Sequence, residues 1–223
     1  MKAKNLILLA AVCCLFSFQV KAQDFELFTE TVDLFNGKDL TGWELVINEE
    51  NVDPADVFTV KDGVIHVKGK PFGFMQTEKS YADFHLYVEW RWPETATNSG
   101  IFLFLQDEKK VWSNCIEMQL HAGDAGDFVL MAGADMKEFV LEAGQKRPAF
   151  PVVKKKKESS EHPVGEWNSA EIFCFDGHVM VFINGVYQNH GKATTHIRGR
   201  IALQSEGEAI EFRNVRLTPI VAW

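Results

Sequence analysis

A chain of 223 residues with 46% hydrophobic and 24% charged residues carries enough apolar side chains to fill the core of one large domain. Its formal net charge of −8 argues against a nucleic-acid-binding protein, because such proteins gain affinity by neutralising phosphates with cations. Neither observation excludes a carbohydrate ligand.

The first 22 residues have the pattern of a secretory signal peptide. Residues 1–4 are basic, residues 6–18 are apolar, and we expect cleavage after Ala22. The apolar run is too short for a comfortable membrane span, and no later stretch is long enough to cross a bilayer. We therefore expect an exported protein in the periplasm, with residues 23–223 forming a single domain. An outer-membrane lipoprotein anchored at Cys13 is less favoured, since residues 10–12 fit a lipidation signal poorly.

Short strand patterns separated by turn residues fill the rest of the chain. Asp-Gly and Asn-Gly pairs at 62–63, 176–177 and 184–185 are typical of tight hairpin turns. No long helical period and no internal repeat is found. This pattern predicts an all-β sandwich or jelly roll. The predicted strands lie within residues 57–60, 64–67, 81–92, 101–105, 112–121, 128–131, 172–175, 179–183, 199–207 and 210–217.

Two of these stretches are the most informative. Residues 101–105 are continuously apolar, which predicts a strand buried on both faces. Residues 112–121 alternate, so that one face is apolar and the other is largely polar. A polar face can simply meet solvent, or it can line a ligand groove; we favour a groove that binds a sugar. The apolar side holds Ile116, Met118 and Leu120, and the other side holds Cys115, Glu117, Gln119 and His121.

Residues 133–165 break the strand pattern and include four consecutive lysines at 154–157. Three prolines punctuate the segment, and a basic run of this kind usually faces water. We therefore predict a solvated loop, with a flap over the groove as the alternative.

The sequence suggests no zinc site and no disulfide. Cys115 and Cys174 each lie in a strand-like run, where a free cysteine behaves as a small buried hydrophobe. We favour two buried thiols, although an oxidising compartment would permit a bridge. No compact His/Cys cluster of the zinc type is present, and no cofactor is expected. The sequence does not decide whether loop oxygens hold a structural calcium ion, and it does not indicate the oligomeric state.

Several short motifs occur in a fixed order along nearly the whole mature chain. They lie at residues 34–43, 83–91, 98–101, 117–119, 165–168, 184–185, 199–204 and 212–214. This ordered set resembles the 3-keto-disaccharide hydrolase domain family. The resemblance implies a concanavalin A-like jelly-roll sandwich of two antiparallel sheets, an exported location and action on oxidised sugars.

The chain also departs from the pattern of that family. His121 stands where many relatives carry an aspartate, and Glu206 stands where many carry a histidine. This exchange either preserves an acid/base pair across the groove or marks a different substrate. The strand at 101–105 lacks the arginine expected at its end, and residues 133–165 have no clear match.

Ordinary retaining hydrolysis is disfavoured. Retaining glucanases of this fold need two carboxylates about 5 Å apart, spaced as Glu-x-Asp-x-x-Glu. Counted from Glu117, the two further acid positions are Gln119 and Ala122. Cleavage of a 3-keto glycoside does not require this pair of carboxylates, because the keto group acidifies the hydrogen on carbon 2. One base removes that hydrogen, the enolate expels the group at carbon 1, and water can then add back.

The elimination scheme asks for a base, an acid at the leaving oxygen and donors near the enolate oxygen. Glu117 or His121 is the candidate base, and Glu206 or His121 is the candidate acid. Arg91 and Gln119 are the candidate donors. The candidate substrate-binding residues are Glu89, Arg91, Asn98, Trp112, Gln119, Asn168 and Gln204.

We expect three strand faces to converge on the groove: those of Glu89 with Arg91, of Gln204 with Glu206, and of Glu117. Structural roles remain as alternatives. Glu89 and Arg91 would then form an ion pair, and Trp112 would cover the core. Three asparagines would bond to turn backbone: Asn98, Asn168 and Asn214.

Three functions are compatible with the sequence. The favoured one is an enzyme that cleaves 3-keto glycosides by elimination and hydration. The second is a non-catalytic, lectin-like module of an envelope glycan-utilisation system. The third is an interaction domain that docks through the lysines at 154–157.

Overall fold

The computed structural model of the protein describes residues 30–106 and 110–221. The signal peptide predicted at residues 1–22 lies outside the described residues and stays a prediction. Within the described part of the chain, no helix combines the length and the apolar character needed to span a bilayer.

The described residues form fifteen strands and one helical turn. Several strands alternate more and less buried side chains, as expected for a sheet with one face on a core, whereas others are buried throughout. In chain order the elements are β1 Val32–Asp33, β2 Trp43–Ile47, α1 Pro54–Val57, β3 Phe58–Lys61, β4 Val64–Val67, β5 Gly73–Thr77, β6 Phe84–Arg91, β7 Gly100–Leu105, β8 Cys115–Gln119, β9 Phe128–Met131, β10 Val152–Val153, β11 Asn168–Phe175, β12 His178–Ile183, β13 Val186–Gly191, β14 Arg200–Ser205 and β15 Ile210–Pro219.

The strands pair into two antiparallel sheets. The front sheet has the order β10-β9-β8-β7-β14-β5-β2. The back sheet has the order β13-β12-β11-β6-β15-β4-β3, with β1 paired to β15. Consecutive strands are often far apart in the sheets, so long-range pairing decides which side chains meet. The predicted all-β sandwich is confirmed.

The main core fills the space between the sheets, and a second apolar cluster covers the outer face of the front sheet. From β7, Ile101 and Leu103 face the main core, whereas Phe102 and Leu105 face the outer cluster. This confirms the strand predicted to be buried on both sides. The outer cluster consists of Phe74, Phe102, Leu105, Cys115, Val129, Met131 and Ala202. Glu117 therefore lies on a mostly apolar surface.

The predicted hairpin turns are present. Asp62-Gly63, Asp176-Gly177 and Asn184-Gly185 all have positive φ at both residues, the conformation that type I′ turns need. The strand predicted to begin at Val57 begins one residue later, because Val57 ends α1. The side chain of Asp53 accepts the amide of Ala55 at the start of that turn, and this cap favours helical geometry there.

The segment 133–165 is mostly exposed and irregular, as expected for a solvated loop, but part of it joins the front sheet. It contributes β10, which pairs with β9 at the edge of the front sheet. Buried Asp127 anchors this strand: its carboxylate accepts the amide of Lys155 at 2.7 Å and lies 2.7 Å from Lys154 Nζ. Lys156 is held as well, because its amide donates to the Gln188 carbonyl at 2.7 Å and its Nζ donates to the His190 carbonyl at 3.3 Å. Lys154, Lys155 and Lys156 are therefore all held by contacts within the chain.

Both described cysteines are free and buried. Cys115 lies in the outer cluster of the front sheet, whereas Cys174 lies in the main core on β11 of the back sheet. The favoured prediction of two buried thiols agrees with this placement.

Candidate active site

A cavity of about 220 Å³ opens on the outer face of the front sheet. Polar and apolar side chains share its lining. Five of the predicted site residues meet there, although they come from four separate segments. The lining consists of Asn98, Trp112, Glu117, Gln119, Val129, Met131, Phe150, Val152 and Glu206.

Glu117 lies in the floor of this cavity. On β8 its cross-strand neighbours are Phe102 of β7 and Val129 of β9, so its carboxyl has apolar side chains on both sides. The residue is only 3% exposed. Burial, together with the nearby negative charge of Glu206, raises the pKa of Glu117 to about 8. At neutral pH this carboxyl is therefore mainly protonated.

Gly100 makes room for that side chain. A Cβ atom placed on Gly100 would lie 2.5 Å from Glu117 Oε1 and 2.7 Å from its Cγ. No larger residue fits unless the carboxyl moves. Sequence reasoning missed this role, although Gly100 opens an otherwise apolar strand and a glycine in a strand often marks a close approach.

Glu206 is the second carboxyl of the cavity, and two amides hold it. Gln204 Nε2 donates to Glu206 Oε2 at 2.7 Å, and the side chain of Asn98 donates to the same carboxyl. Burial raises the pKa of Glu206, while these two hydrogen bonds and the charge of His121 partly counteract that rise. The cavity thus holds two carboxyls, and only Glu206 receives hydrogen bonds that favour its ionised form.

Three buried oxygens at this site have no hydrogen-bond partner among the described residues. They are Glu117 Oε1, Asn98 Oδ1 and Gln204 Oε1. Buried oxygens in folded proteins are nearly always paired, so these three oxygens are the ones that a ligand or water in this region would pair with. A hydroxyl-rich ligand would supply such donors. Gln119 differs, because its Oε1 accepts the amides of Leu120 and His121, which leaves its NH₂ group as the donor.

His121 lies at the edge of the cavity and does not line it. Its ring is half exposed, and Nδ1 is 3.4 Å from Asp124 Oδ2. The charge of His121 nevertheless reaches Glu206 and favours its carboxylate. The structure therefore places this histidine beside the acid pair instead of between its members.

Trp112 stands at the mouth of the cavity and is not a core residue. It is 43% exposed. Its ring centroid is 6.0 Å from that of Phe72 and 5.6 Å from that of Phe150. The alternative in which Trp112 covers the main core is wrong.

Glu89, Arg91 and Asn168 do not belong to this cavity. They lie on β6 and β11 of the back sheet, so the expected convergence of their face with that of Glu117 is wrong. Glu89 and Arg91 also do not pair with each other. Glu89 Oε2 accepts Arg213 Nε at 2.6 Å, and Arg91 Nε donates to Glu211 at 2.5 Å.

The back sheet has a larger cavity of about 380 Å³, and its polar groups satisfy one another. Asn168 Oδ1 accepts the amide of His162 and the side chain of Asn184. Burial opposes ionisation of Glu89, but bonds from Asn214, Arg213 and Tyr87 bring its pKa below the usual value. Such a saturated carboxylate fits a structural role, which favours the front cavity as the functional site. The lining consists of Tyr87, Glu89, His162, Trp167, Asn168, Ser169 and Asn184.

No metal site of the usual protein ligands is apparent in the two described ranges. No group of three or more His, Cys, Asp or Glu side chains within residues 30–106 and 110–221 is placed to hold an ion. A calcium ion held by loop carbonyl oxygens stays a prediction.

Comparison with known families decides the classification. Residues 30–218 match the model of the 3-keto-alpha-glucoside-1,2-lyase-like domain. The chain belongs to this family. Family members are carbohydrate-active proteins, which fits a cavity with orphan acceptors. A comparison with curated proteins found no match.

Solved structures show the same fold. A protein from Parabacteroides distasonis ATCC 8503, named as a candidate glycosyl hydrolase, is 23% identical, with 86% of this chain and 94% of that chain covered and a TM-score of 0.64. A carbohydrate-binding module from Bacillus subtilis is 12% identical, with 79% and 95% covered and a TM-score of 0.56. A β-glucanase from Bacillus licheniformis is 12% identical, with 86% and 99% covered and a TM-score of 0.52. The fold is a concanavalin A-like jelly roll.

Proposed function

We propose that this member of the family cleaves 3-keto glucosides by elimination across carbons 1 and 2. The observation that carries the proposal is the buried carboxyl of Glu117, with an unpartnered oxygen, in the same cavity as Glu206. The family description supports a 3-keto-α-glucoside as the substrate. Hydration of the product would make the net reaction a hydrolysis.

The proposed step uses the two carboxyls in different roles. The Glu206 carboxylate removes the proton from carbon 2, and the electron pair of that bond moves towards the keto oxygen to form an enolate. The NH₂ group of Gln119 can donate to that oxygen. The enolate then re-forms the ketone and a carbon 1–carbon 2 double bond as the bond to the leaving oxygen breaks. Glu117 protonates that oxygen, so the products are an alcohol and an unsaturated ketone.

Hydration would run the same steps in reverse with water in place of the alcohol. The Glu117 carboxylate formed in the elimination accepts a proton from water as that water adds to carbon 1. Protonated Glu206 returns its proton to carbon 2. Both side chains regain their starting protonation states, so no other acid or base is required.

The surroundings of the two carboxyls support this assignment of roles. Pairs of acids whose environments separate their pKa values commonly divide acid and base duties. Glu117 is enclosed by apolar neighbours and carries the raised pKa of about 8, which suits the proton donor. Glu206 accepts two amide hydrogen bonds, which suits the carboxylate. This reverses the roles that sequence reasoning favoured for the two residues.

A lectin-like module without chemistry is the second candidate. Exposed Trp112 at the cavity mouth favours it, since aromatic rings are common sugar platforms, and a binding module shares the fold. The two candidates differ in one respect: a module binds the sugar and leaves it unchanged.

Turnover of 3-keto methyl α-glucoside and 3-keto trehalose, with the unoxidised parents as negative substrates, tests the proposal. Product is followed by mass and by the absorbance of the unsaturated ketone. We expect Glu117→Gln and Glu206→Gln to lower turnover by about 10² to 10⁴-fold. Glu171→Gln, an acid on the back sheet, is the matched control and should match the wild type. Binding without product for every keto sugar would favour the module.

Substrates with different leaving groups distinguish the proposed acid, Glu117, from the proposed base, Glu206. A 4-nitrophenyl leaving group departs without a proton, so an enzyme that lacks its acid should recover with 3-keto 4-nitrophenyl α-glucoside. We expect Glu117→Gln to recover most of its activity on this substrate, while Glu206→Gln stays inactive. Equal losses for both variants on both substrates would contradict the assigned roles.

A further inference from the structure

Three exposed aromatic residues form one continuous surface beside the cavity, which we call the aromatic wall: Phe72, Trp112 and Phe150. They are 37%, 43% and 46% exposed, respectively. The Trp112 ring contacts both phenylalanine rings, at angles of 53° and 57°. Trp112 and Phe150 also line the cavity, so the wall and the cavity are continuous.

The wall is assembled from three distant parts of the chain. Phe72 precedes β5, Trp112 precedes β8 and Phe150 precedes β10. In the front sheet, β10 is the first strand in the order and β5 is the sixth. Trp112 thus joins segments from opposite sides of the sheet. A contiguous exposed apolar surface of this kind commonly marks a binding site.

The size of the cavity indicates what the wall meets. Pockets that enclose a drug-sized ligand measure about 300–1,000 Å³. The front cavity, at about 220 Å³, is smaller and suits a single sugar ring. The rest of any glycoside whose reacting ring sits beside Glu117 must therefore extend past the rim. Along the Trp112 and Phe150 side, that rim is aromatic.

We propose that the aromatic wall is the aglycone subsite, which selects leaving groups that present the apolar face of a ring. The inference rests on the proposed function, because it places the 3-keto sugar in the cavity. Both an aryl group and the C–H face of a second pyranose have the required chemistry. A methyl aglycone lacks a ring and would leave the wall uncovered. Ring contacts of this type favour binding by roughly two- to tenfold each.

Ratios of rates test the wall without depending on absolute activity. The measurement is kcat/KM for 3-keto phenyl α-glucoside and for 3-keto trehalose, each divided by that for 3-keto methyl α-glucoside. We expect at least one ratio to fall about three- to tenfold in Phe72→Ala and further in Trp112→Ala. Phe175→Ala removes an equally exposed ring from the end of β11 in the back sheet and should leave both ratios unchanged. The ratio that falls more identifies the ring that the wall prefers.

Binding of the unreactive parents, phenyl and methyl α-glucoside, separates the two proposals. Calorimetry should show tighter binding of the phenyl compound and loss of that preference in Trp112→Ala. If no keto sugar is turned over but this binding preference is lost in Trp112→Ala as expected, the wall is supported as a binding site and the proposed elimination is contradicted. If turnover occurs and neither the rate ratios nor the binding preference responds to Phe72→Ala or Trp112→Ala, the wall proposal is overturned and the elimination stands.

Discussion

Replacing Glu117 by Gln should stabilise the fold at alkaline pH and change its stability little at pH 5. Burial raises the pKa of Glu117 from 4.5 to about 8. Below pH 4.5 the carboxyl is protonated in both the folded and unfolded chains. As pH rises towards 8, the unfolded chain releases this proton while the folded protein retains it. Stability is therefore lost as pH rises through the folded pKa.

The rise in the pKa of Glu117 determines how much the free energy of unfolding changes with pH. A rise from 4.5 to about 8 is 3.5 units, and each unit corresponds to 1.36 kcal/mol, so the full penalty is about 5 kcal/mol. Integrated over the titration, about 3 to 4 kcal/mol of this develops between pH 5 and pH 8. Glutamine has nearly the same size and no proton to release, so the variant avoids the penalty.

The assay is urea unfolding followed by tryptophan fluorescence at pH 5, 6, 7 and 8. The quantity of interest is the free energy of unfolding of Glu117→Gln minus that of the wild type. Taking this difference removes the titration of acids far from the cavity, such as Glu89. The titration of Glu206 does not cancel, because Glu206 interacts with Glu117. The exposed acid Glu166, replaced by Gln, controls for the loss of one surface carboxyl. Equal denaturant slopes would show that both proteins unfold to similar states.

Either of two results would refute the reasoning. A difference that stays within about 1 kcal/mol from pH 5 to pH 8 would mean that the folded protein does not hold a proton on Glu117. A variant that becomes less stable than the wild type at high pH would mean that Glu117 is ionised and paired. In both cases the proton-donor role would lose its physical basis.

Two further changes test the supports of the cavity. Gly100→Ala would place a Cβ atom 2.5 Å from Glu117 Oε1. We therefore expect turnover to fall at least tenfold and the free energy of unfolding to fall by about 1–3 kcal/mol. Unchanged kinetics would show that the carboxyl has room to move. Asp127→Asn should lower the free energy of unfolding by about 1–2 kcal/mol and speed proteolysis within residues 133–165, because it weakens the anchor of Lys154 and Lys155. Unchanged proteolysis would show that β10 pairing alone holds the segment.

Local features of the fold were predictable from sequence. Alternation in β6 and β8 reports which side chains share a face, because a strand places successive side chains on opposite sides. The three Xaa-Gly turns follow from the need for positive φ at both positions. Sheet membership was not predictable in this way. In the sequence pattern, Glu89 and Glu117 both lie on polar strand faces, but only long-range pairing puts β6 in the back sheet and β8 in the front sheet.

The apolar environment of Glu117 was also not predictable from the sequence. In the predicted strand at residues 112–121, Glu117 shares a polar face with Gln119 and His121, which favours a hydrated carboxylate. The apolar neighbours that change this, Phe102 and Val129, belong to other strands and become neighbours only through pairing. Sequence reasoning therefore selected the right residue for the cavity and assigned it the ordinary protonation state of an exposed acid.

The acid at position 206 and the imidazole at position 121 have a physical consequence in this cavity. Glu206 puts a negative charge near Glu117 and is the second cause of the raised pKa of Glu117. A histidine at position 206 would be neutral or positive and would remove that contribution. The imidazole now at position 121 lies at the rim, where its charge helps Glu206 to ionise. The cavity thus holds a mainly protonated Glu117 beside a second carboxyl whose hydrogen bonds favour its ionised form, and this difference supports the roles proposed for the two acids.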